Sequence, residues 1–197
     1  MTRRGKRMLT AGALLGLGLL SALDHAGVFG YRGSRRAGFH GAIATVTYAA
    51  DGDTIDVGLP DGRRAVTRIR LWGVDCPEIA HGEREEDAYF GREAMAFVQE
   101  HVVGRRVRLE LDPIRSLRDR YGRLLAYVYF DDTGEMLNEI LVARGLAYAD
   151  RRFRHVFKDR LVKVEKKAMR ERVGLWAGVK PEQMPAWRQR MDTAAAR

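Results

Sequence analysis

The sequence predicts a mainly β fold with helices, a small barrel of five strands carrying about three helices and preceded by an N-terminal apolar leader. Three observations predict it. Short β-prone runs at 42–48, 54–59 and 65–74 are separated by the turn signals Asp51-Gly52-Asp53 and Pro60-Asp61-Gly62, the spacing of a three-stranded meander. Two further β-prone runs, at 106–111 and 124–130, complete a set of five. Apolar residues recur at helical spacing between and after them, which supplies cover for the barrel.

The chain opens with MTRRGKR and then MLTAGALLGLGLLSAL, a basic end followed by sixteen mostly apolar residues, the pattern of a secretory leader. A spanning helix needs about 20 residues, so the run is short for one. Asp24 and His25 interrupt any small-residue cleavage site. Over residues 1–26 a cleaved signal peptide and a retained membrane anchor therefore both stay open, and both place the protein in an exported location, periplasmic, secreted or envelope-anchored. Residues 27–40, GVFGYRGSRRAGFH, read as a linker.

The barrel domain is expected over 41–176. Its third strand, 65–74, stops at Pro77, and a polar loop follows. Phe90, Ala94, Phe97, Val98 and Val102 share a face and predict a helix over 88–102 that ends at Gly104. After the strand at 106–111, the charged loop DPIRSLRDRYGR leads to LLAYVYF, the fifth strand. Asp132 with Glu135 reads as a helix start, Leu137, Ile140, Leu141 and Arg144 share a face, and Gly145 closes it. Phe157, Leu161, Val164 and Ala168 form one stripe of a last helix over 155–172. Residues 177–197 read as a C-terminal tail. Three strands, a helix, two strands and further helices suit a small antiparallel barrel, of which the five-stranded oligonucleotide-binding type is the commonest version that holds nucleic acid.

The charge balance agrees with such a partner. The formal net charge is +9, of which Arg3, Arg4, Lys6 and Arg7 against Asp24 contribute +3 in the first thirty residues, so +6 belongs to the remainder. A basic domain of this kind favours a polyanion, either nucleic acid or an anionic membrane face. The single cysteine, Cys76, excludes an intrachain disulfide framework, and with His81 it lacks the further ligands of a metal or nucleophile pair.

The chemistry gathers around RIRLWGVDCPE, residues 68–78. Burying charge is costly unless it is paired or binds an ion, yet this strand carries Arg70 and ends between Asp75 and Glu78. Asp53, in the DGDT turn, can meet them across the meander. Oxygen donors without a His or Cys cluster suit Ca²⁺ or Mg²⁺, and calcium tolerates the irregular geometry better. Side chains alternate along a strand, so Arg70 and Asp75 converge only if the strand bends, which Gly73 permits. A second cationic group, Arg120, Tyr121 and Arg123, sits in the turn DRYGR, where guanidinium groups and an interleaved aromatic can hold phosphate.

DGDT, RIRLWGVDCPE, FGREAMAF, DRYGRLLAYVY and GEMLNEILVARGLA, in that order, resemble the staphylococcal-nuclease-like, or thermonuclease, family over residues 42–176. The resemblance implies a calcium-dependent nuclease that hydrolyses phosphodiester bonds of DNA and RNA with low sequence specificity. It implies that Asp53 and Asp75 bind Ca²⁺ with the backbone carbonyl of Cys76, that Glu78 is the general base, and that Arg70 and Arg123 bind the scissile phosphate. Arg120 and Tyr121 match positions that contact a terminal phosphate of the substrate. The loop after Asp75 is one residue longer than the family pattern, and the family's base-stacking tyrosine is replaced near Arg151. Arg151, Arg152, Arg154 and Lys158 form a basic run there. No protein partner is implied and a monomer is expected. The alternative from another class is a non-catalytic oligonucleotide-binding barrel that holds single-stranded nucleic acid or acts as an interaction module.

Overall fold

The computed structural model describes residues 38–80, 86–114 and 116–195. The chain divides into two compact units, Met1–His40 and Gly41–Arg197, and the second carries everything below. The leader expected at 1–26, all but the last three residues of the linker, and His81 lie outside the described residues.

Five strands close a barrel in the order β1-β2-β3-β6-β5. These are β1 (Ile43–Asp51), β2 (Thr54–Val57), β3 (Thr67–Leu71), β5 (Arg106–Glu110) and β6 (Leu124–Phe130). The expected meander is present: β1 pairs antiparallel with β2, and β2 with β3. β1 runs three residues further than the β-prone stretch that predicted it, to Asp51, and its register shifts twice against β2. Such shifts increase strand curvature, which a small barrel needs to close. The barrel is not wholly antiparallel, because β3 pairs with β6 in parallel. The crossover between them is long enough to carry a helix and β5, which is the condition for returning a strand in the same direction. Side chains that alternate inward, among them Val46, Ile55, Ile69, Val107, Leu109 and Val128, are fully buried and fill the interior.

The run expected as one strand at 65–74 is broken. β3 ends at Leu71, and the chain turns at Gly73, whose φ is +81°. It resumes as β4 (Val74–Asp75), which leaves the barrel to pair antiparallel with β7 (Tyr148–Ala149). A side chain at Gly73 would meet the His155 ring, 2.5 Å from Cε1, so the position needs glycine for conformation and for space. Asn138, fully buried, fastens this turn: its Nδ2 donates to the Trp72 carbonyl at 2.9 Å while its Oδ1 accepts from the Val128 amide at 3.0 Å.

Helix α1 (Gly91–His101) buries Ala94 and Val98, as its spacing predicts. Helix α2 (Leu137–Ala143) starts later than Asp132 suggested, because the Asp132 carboxylate pairs with Arg105 at 2.6 Å and accepts from the Thr133 amide within a turn. Helix α3 (Lys158–Arg170) buries Leu161 and Ala168 together with Glu165. The segment from 177, expected as a tail, holds a short 3-10 turn and a fourth helix, α4 (Ala186–Ala195). Trp187 is buried in one cluster with Tyr148, Ala168, Leu175 and Trp176, and apolar burial of that size is what fastens the segment.

Candidate functional site

A cleft of about 550 Å³ opens where the β1-β2 turn, the β3-β4 bend and the 119–123 turn come together, and every candidate side chain from Asp53 to Arg123 faces it. Cys76 stands behind it, buried, with its thiol pushed up in pKa by burial and then by Asp53. Cys76 packs on the glycine of the DGD turn, where an added Cβ at Gly52 would lie 2.8 Å from the Cys76 Cβ. The turn and the strand end are thereby held in contact.

Arg70 organises the cleft. Its Nη1 pairs with Asp53 and donates to the Val74 carbonyl at 3.1 Å, and its Nη2 donates to Asp75 Oδ1 at 2.7 Å. The bend at Gly73 is what turns Asp75 onto the side where Arg70 lies. Burial works against the Arg70 charge, but Asp53 and Asp75 outweigh it and hold its pKa above the usual value. Asp53 is 5 % exposed, accepts from the Cys76 amide at 2.8 Å, and has its carboxyl pushed up by burial, with Arg70 compensating only in part. Asp51 caps the turn by accepting from the Asp53 amide at 2.8 Å.

Asp75 is more heavily bonded than the sequence suggested. Its Oδ1 also accepts from Arg152 Nη2 at 3.0 Å, and its Oδ2 accepts from the Trp187 indole N–H at 2.7 Å. Arg152 is itself forked onto Asp150, with both bonds at 2.9 Å. Of the basic run 151–158, only Arg152 reaches the cleft wall. Arg151 pairs instead with Asp192, at 2.6 Å, and Lys158 with the Arg151 carbonyl, at 2.8 Å. Asp150 and Trp187 carried no signal pointing to this cleft, although a tryptophan in an otherwise polar tail is itself a sign of burial.

Glu78 is exposed on the cleft wall, its backbone carbonyl held by the Ala88 amide at 2.9 Å. Its carboxylate accepts no hydrogen bond and makes no ion pair among the described residues. Its pKa is raised, first by the partial loss of solvent at that wall and then by the charges of Asp51 and Asp75. Opposite, Arg123 Nε donates to Asp119 Oδ2 at 2.7 Å and Nη1 to Thr54 Oγ1 at 3.1 Å. Asp119 also caps the turn, accepting from the amides of Tyr121 and Arg123 at 2.9 Å each. Arg120 lies over the Tyr121 ring, 4.6 Å from its centre, and Tyr121 is 68 % exposed at the mouth.

Two of the three expected carboxylates, Asp53 and Asp75, therefore meet on one guanidinium, while Glu78 lines the same cleft without joining them. Among the described residues no three His, Cys, Asp or Glu side chains are grouped closely enough to hold a metal. The donor set nonetheless fits a hard cation. Both acids offer only oxygen, and burial raises the pKa of Asp53 despite Arg70, so a further positive charge beside it would favour its ionised form.

Residues 68–178 match the model of a family described as staphylococcal nuclease homologue. The chain is 38% identical over 128 residues to a thermonuclease of Staphylococcus hyicus, covering 64% of this chain and 71% of that protein. It is 34% identical over 155 residues to an uncharacterized endonuclease of Escherichia coli, covering 78% and 88%. To a micrococcal nuclease of Shigella flexneri it is 30% identical over 165 residues, covering 80% and 85%.

Proposed function

The chain belongs to the staphylococcal nuclease family, and from that premise we propose that it is a calcium-dependent nuclease hydrolysing phosphodiester bonds of DNA and RNA with little sequence preference. The observation that carries this reading is the meeting of Asp53, from the β1-β2 turn, and Asp75, from β4, on Arg70, beside a Glu78 that has no ion-pair partner among the described residues, in one cleft.

Asp53 and Asp75, with the backbone carbonyl of Cys76, would hold the cation, which when bound supplies positive charge to a phosphate oxygen. The remaining chemistry belongs to the side chains. As water attacks phosphorus, negative charge builds on the equatorial oxygens, and one P–O ester bond breaks, its oxygen leaving with the bonding pair and taking a proton from solvent. Arg70 Nε and Arg123 Nη2 have no protein acceptor among the described residues, so both guanidinium groups keep donors for those oxygens. The bonds to Asp75 and Asp119 fix their planes beforehand. Glu78 takes the proton from the attacking water, and its raised pKa makes it a stronger base than an ordinary carboxylate. Arg120 and Tyr121 hold a terminal phosphate at the mouth.

The N-terminal segment directs export, with the enzyme secreted, periplasmic or anchored to the envelope. No helix among the described residues is long and apolar enough to cross a membrane. Incubating the protein with single-stranded DNA, double-stranded DNA and RNA, in calcium or in chelator, tests the reading. Cleavage of all three in calcium and of none in chelator is expected. Cleavage unchanged by chelator would remove the metal, and salt-sensitive binding without product under any divalent cation would leave a binding barrel instead.

A further inference from the structure

Helix α4 lies beyond the residues that match the family model, which end at 178, yet it reaches the candidate site directly. Two consecutive residues tie it there, Trp187 directly and Arg188 through Glu165. Trp187 donates its indole N–H to Asp75 Oδ2 at 2.7 Å, in a buried contact. Arg188, 3 % exposed, donates to Glu165 Oε1 at 2.7 Å, and the same oxygen accepts from the Ala149 amide at 2.9 Å. Asp75 and Ala149 belong to β4 and β7, the two strands that pair outside the barrel. The helix thus grips both strands of the short ladder that presents Asp75.

A two-residue ladder has little stability of its own, so its side chains take their directions from what packs behind it. Arg152 extends the arrangement. Its guanidinium lies 4.8 Å from the centre of the Trp187 ring while one amino group donates to Asp75 Oδ1. Both oxygens of Asp75 are thereby oriented, Oδ1 by Arg70 and Arg152 at the cleft wall and Oδ2 by the buried Trp187 indole.

We infer that Trp187 is a positioning residue of the site, which holds the Asp75 carboxylate in the direction required for cation binding. The inference rests on the reading of Asp75 as a calcium ligand. Groups that hydrogen-bond a ligating carboxylate fix its orientation, and their loss typically weakens metal binding about 10–100-fold.

A matched control exists within the same packed cluster. Trp176 is buried there too, but its indole N–H has no partner among the described residues. Trp187→Phe and Trp176→Phe therefore remove the same atoms from the same cluster, and only the first removes a bond to Asp75. Calcium binding is measured by titration calorimetry without nucleic acid, on wild type, both variants and Asp75→Asn, with thermal unfolding alongside. Trp187→Phe is expected to bind calcium at least about ten-fold more weakly than Trp176→Phe. Equal affinity in the two Phe variants would overturn the positioning role, because cavity formation alone would then account for any change. Wild type and Asp75→Asn binding alike would instead overturn the assignment of Asp75, and the role of Trp187 with it. A readout independent of any fragile variant is the ¹⁵N-labelled indole resonance of Trp187 in wild type, which is expected to move with calcium and saturate with the calorimetric affinity. A resonance that stays fixed through saturation contradicts the inference.

Discussion

At the scale of single residues, Arg70 shows how far charge can be read from a sequence. A cation in an apolar strand demanded a partner, and the two acids nearest in sequence and topology, Asp53 and Asp75, supply it. Its side chain is only 13 % exposed, so removing it strands Asp53 while Asp75 keeps Arg152 and Trp187, and should cost about 3–5 kcal/mol of stability, measurable by urea unfolding of Arg70→Ala. Glu78 has the opposite character, being exposed and without an ion-pair partner among the described residues. Its raised pKa fixes the sign of the pH dependence expected if it is the proposed base: it must then be ionised, so kcat/KM falls as the pH drops through a value above the ordinary carboxylate range. A pH–rate profile should show that acid limb in wild type and lose it in Glu78→Gln. What the sequence could not reveal at this scale is Trp187, because its partner Asp75 lies 112 residues away and no local pattern couples them.

Among the elements, the bend between β3 and β4 decides whether there is a site at all. Side-chain alternation sets Arg70 and Asp75 on opposite faces, and Gly73, at φ +81°, reverses that. Gly73→Ala is expected to lose about 1–3 kcal/mol from backbone conformation alone. Contact with the His155 ring adds to this, and cleavage should fall with stability in a combined urea and activity measurement. The need for a bend was legible from the parity of residue numbers, whereas the departure of β4 to pair with β7 was not. Pairing over such a distance depends on α2 and α3 bringing Tyr148 alongside, and two-residue strands leave no periodicity. The same holds for α4, whose polar stretch hides two buried side chains. Removing residues 186–197 leaves Glu165, 1 % exposed, without Arg188 and is expected to cost a further 3–5 kcal/mol, roughly, by thermal or urea unfolding.

For the whole molecule, a barrel of short strands gathers loops from distant parts of the chain at one rim, and the motif order made that rim legible before its geometry was. At this rim Arg70 offsets the burial of Asp53 only in part. A carboxyl such as Asp53, with a folded pKa above its unfolded one, contributes stability that is present at low pH and lost as the pH rises through the folded value. A cation that binds only the ionised form reverses this at neutral pH. Calcium at a hundred times its dissociation constant should add about 2.7 kcal/mol, raising Tm by roughly 2–4 °C per kcal/mol, with the gain fading on acidification. The most direct measurement of the central claim, that guanidinium groups and a carboxylate around this cleft act on a phosphodiester, separates rate from affinity. Single-turnover cleavage and equilibrium binding of one labelled oligonucleotide are compared for wild type, Arg123→Ala and Glu78→Gln. The expected result is a rate lowered roughly 10²–10³-fold in each variant with affinity changed far less. Rates that fall only in step with affinity would contradict it, leaving these side chains as binding groups and the chemistry elsewhere.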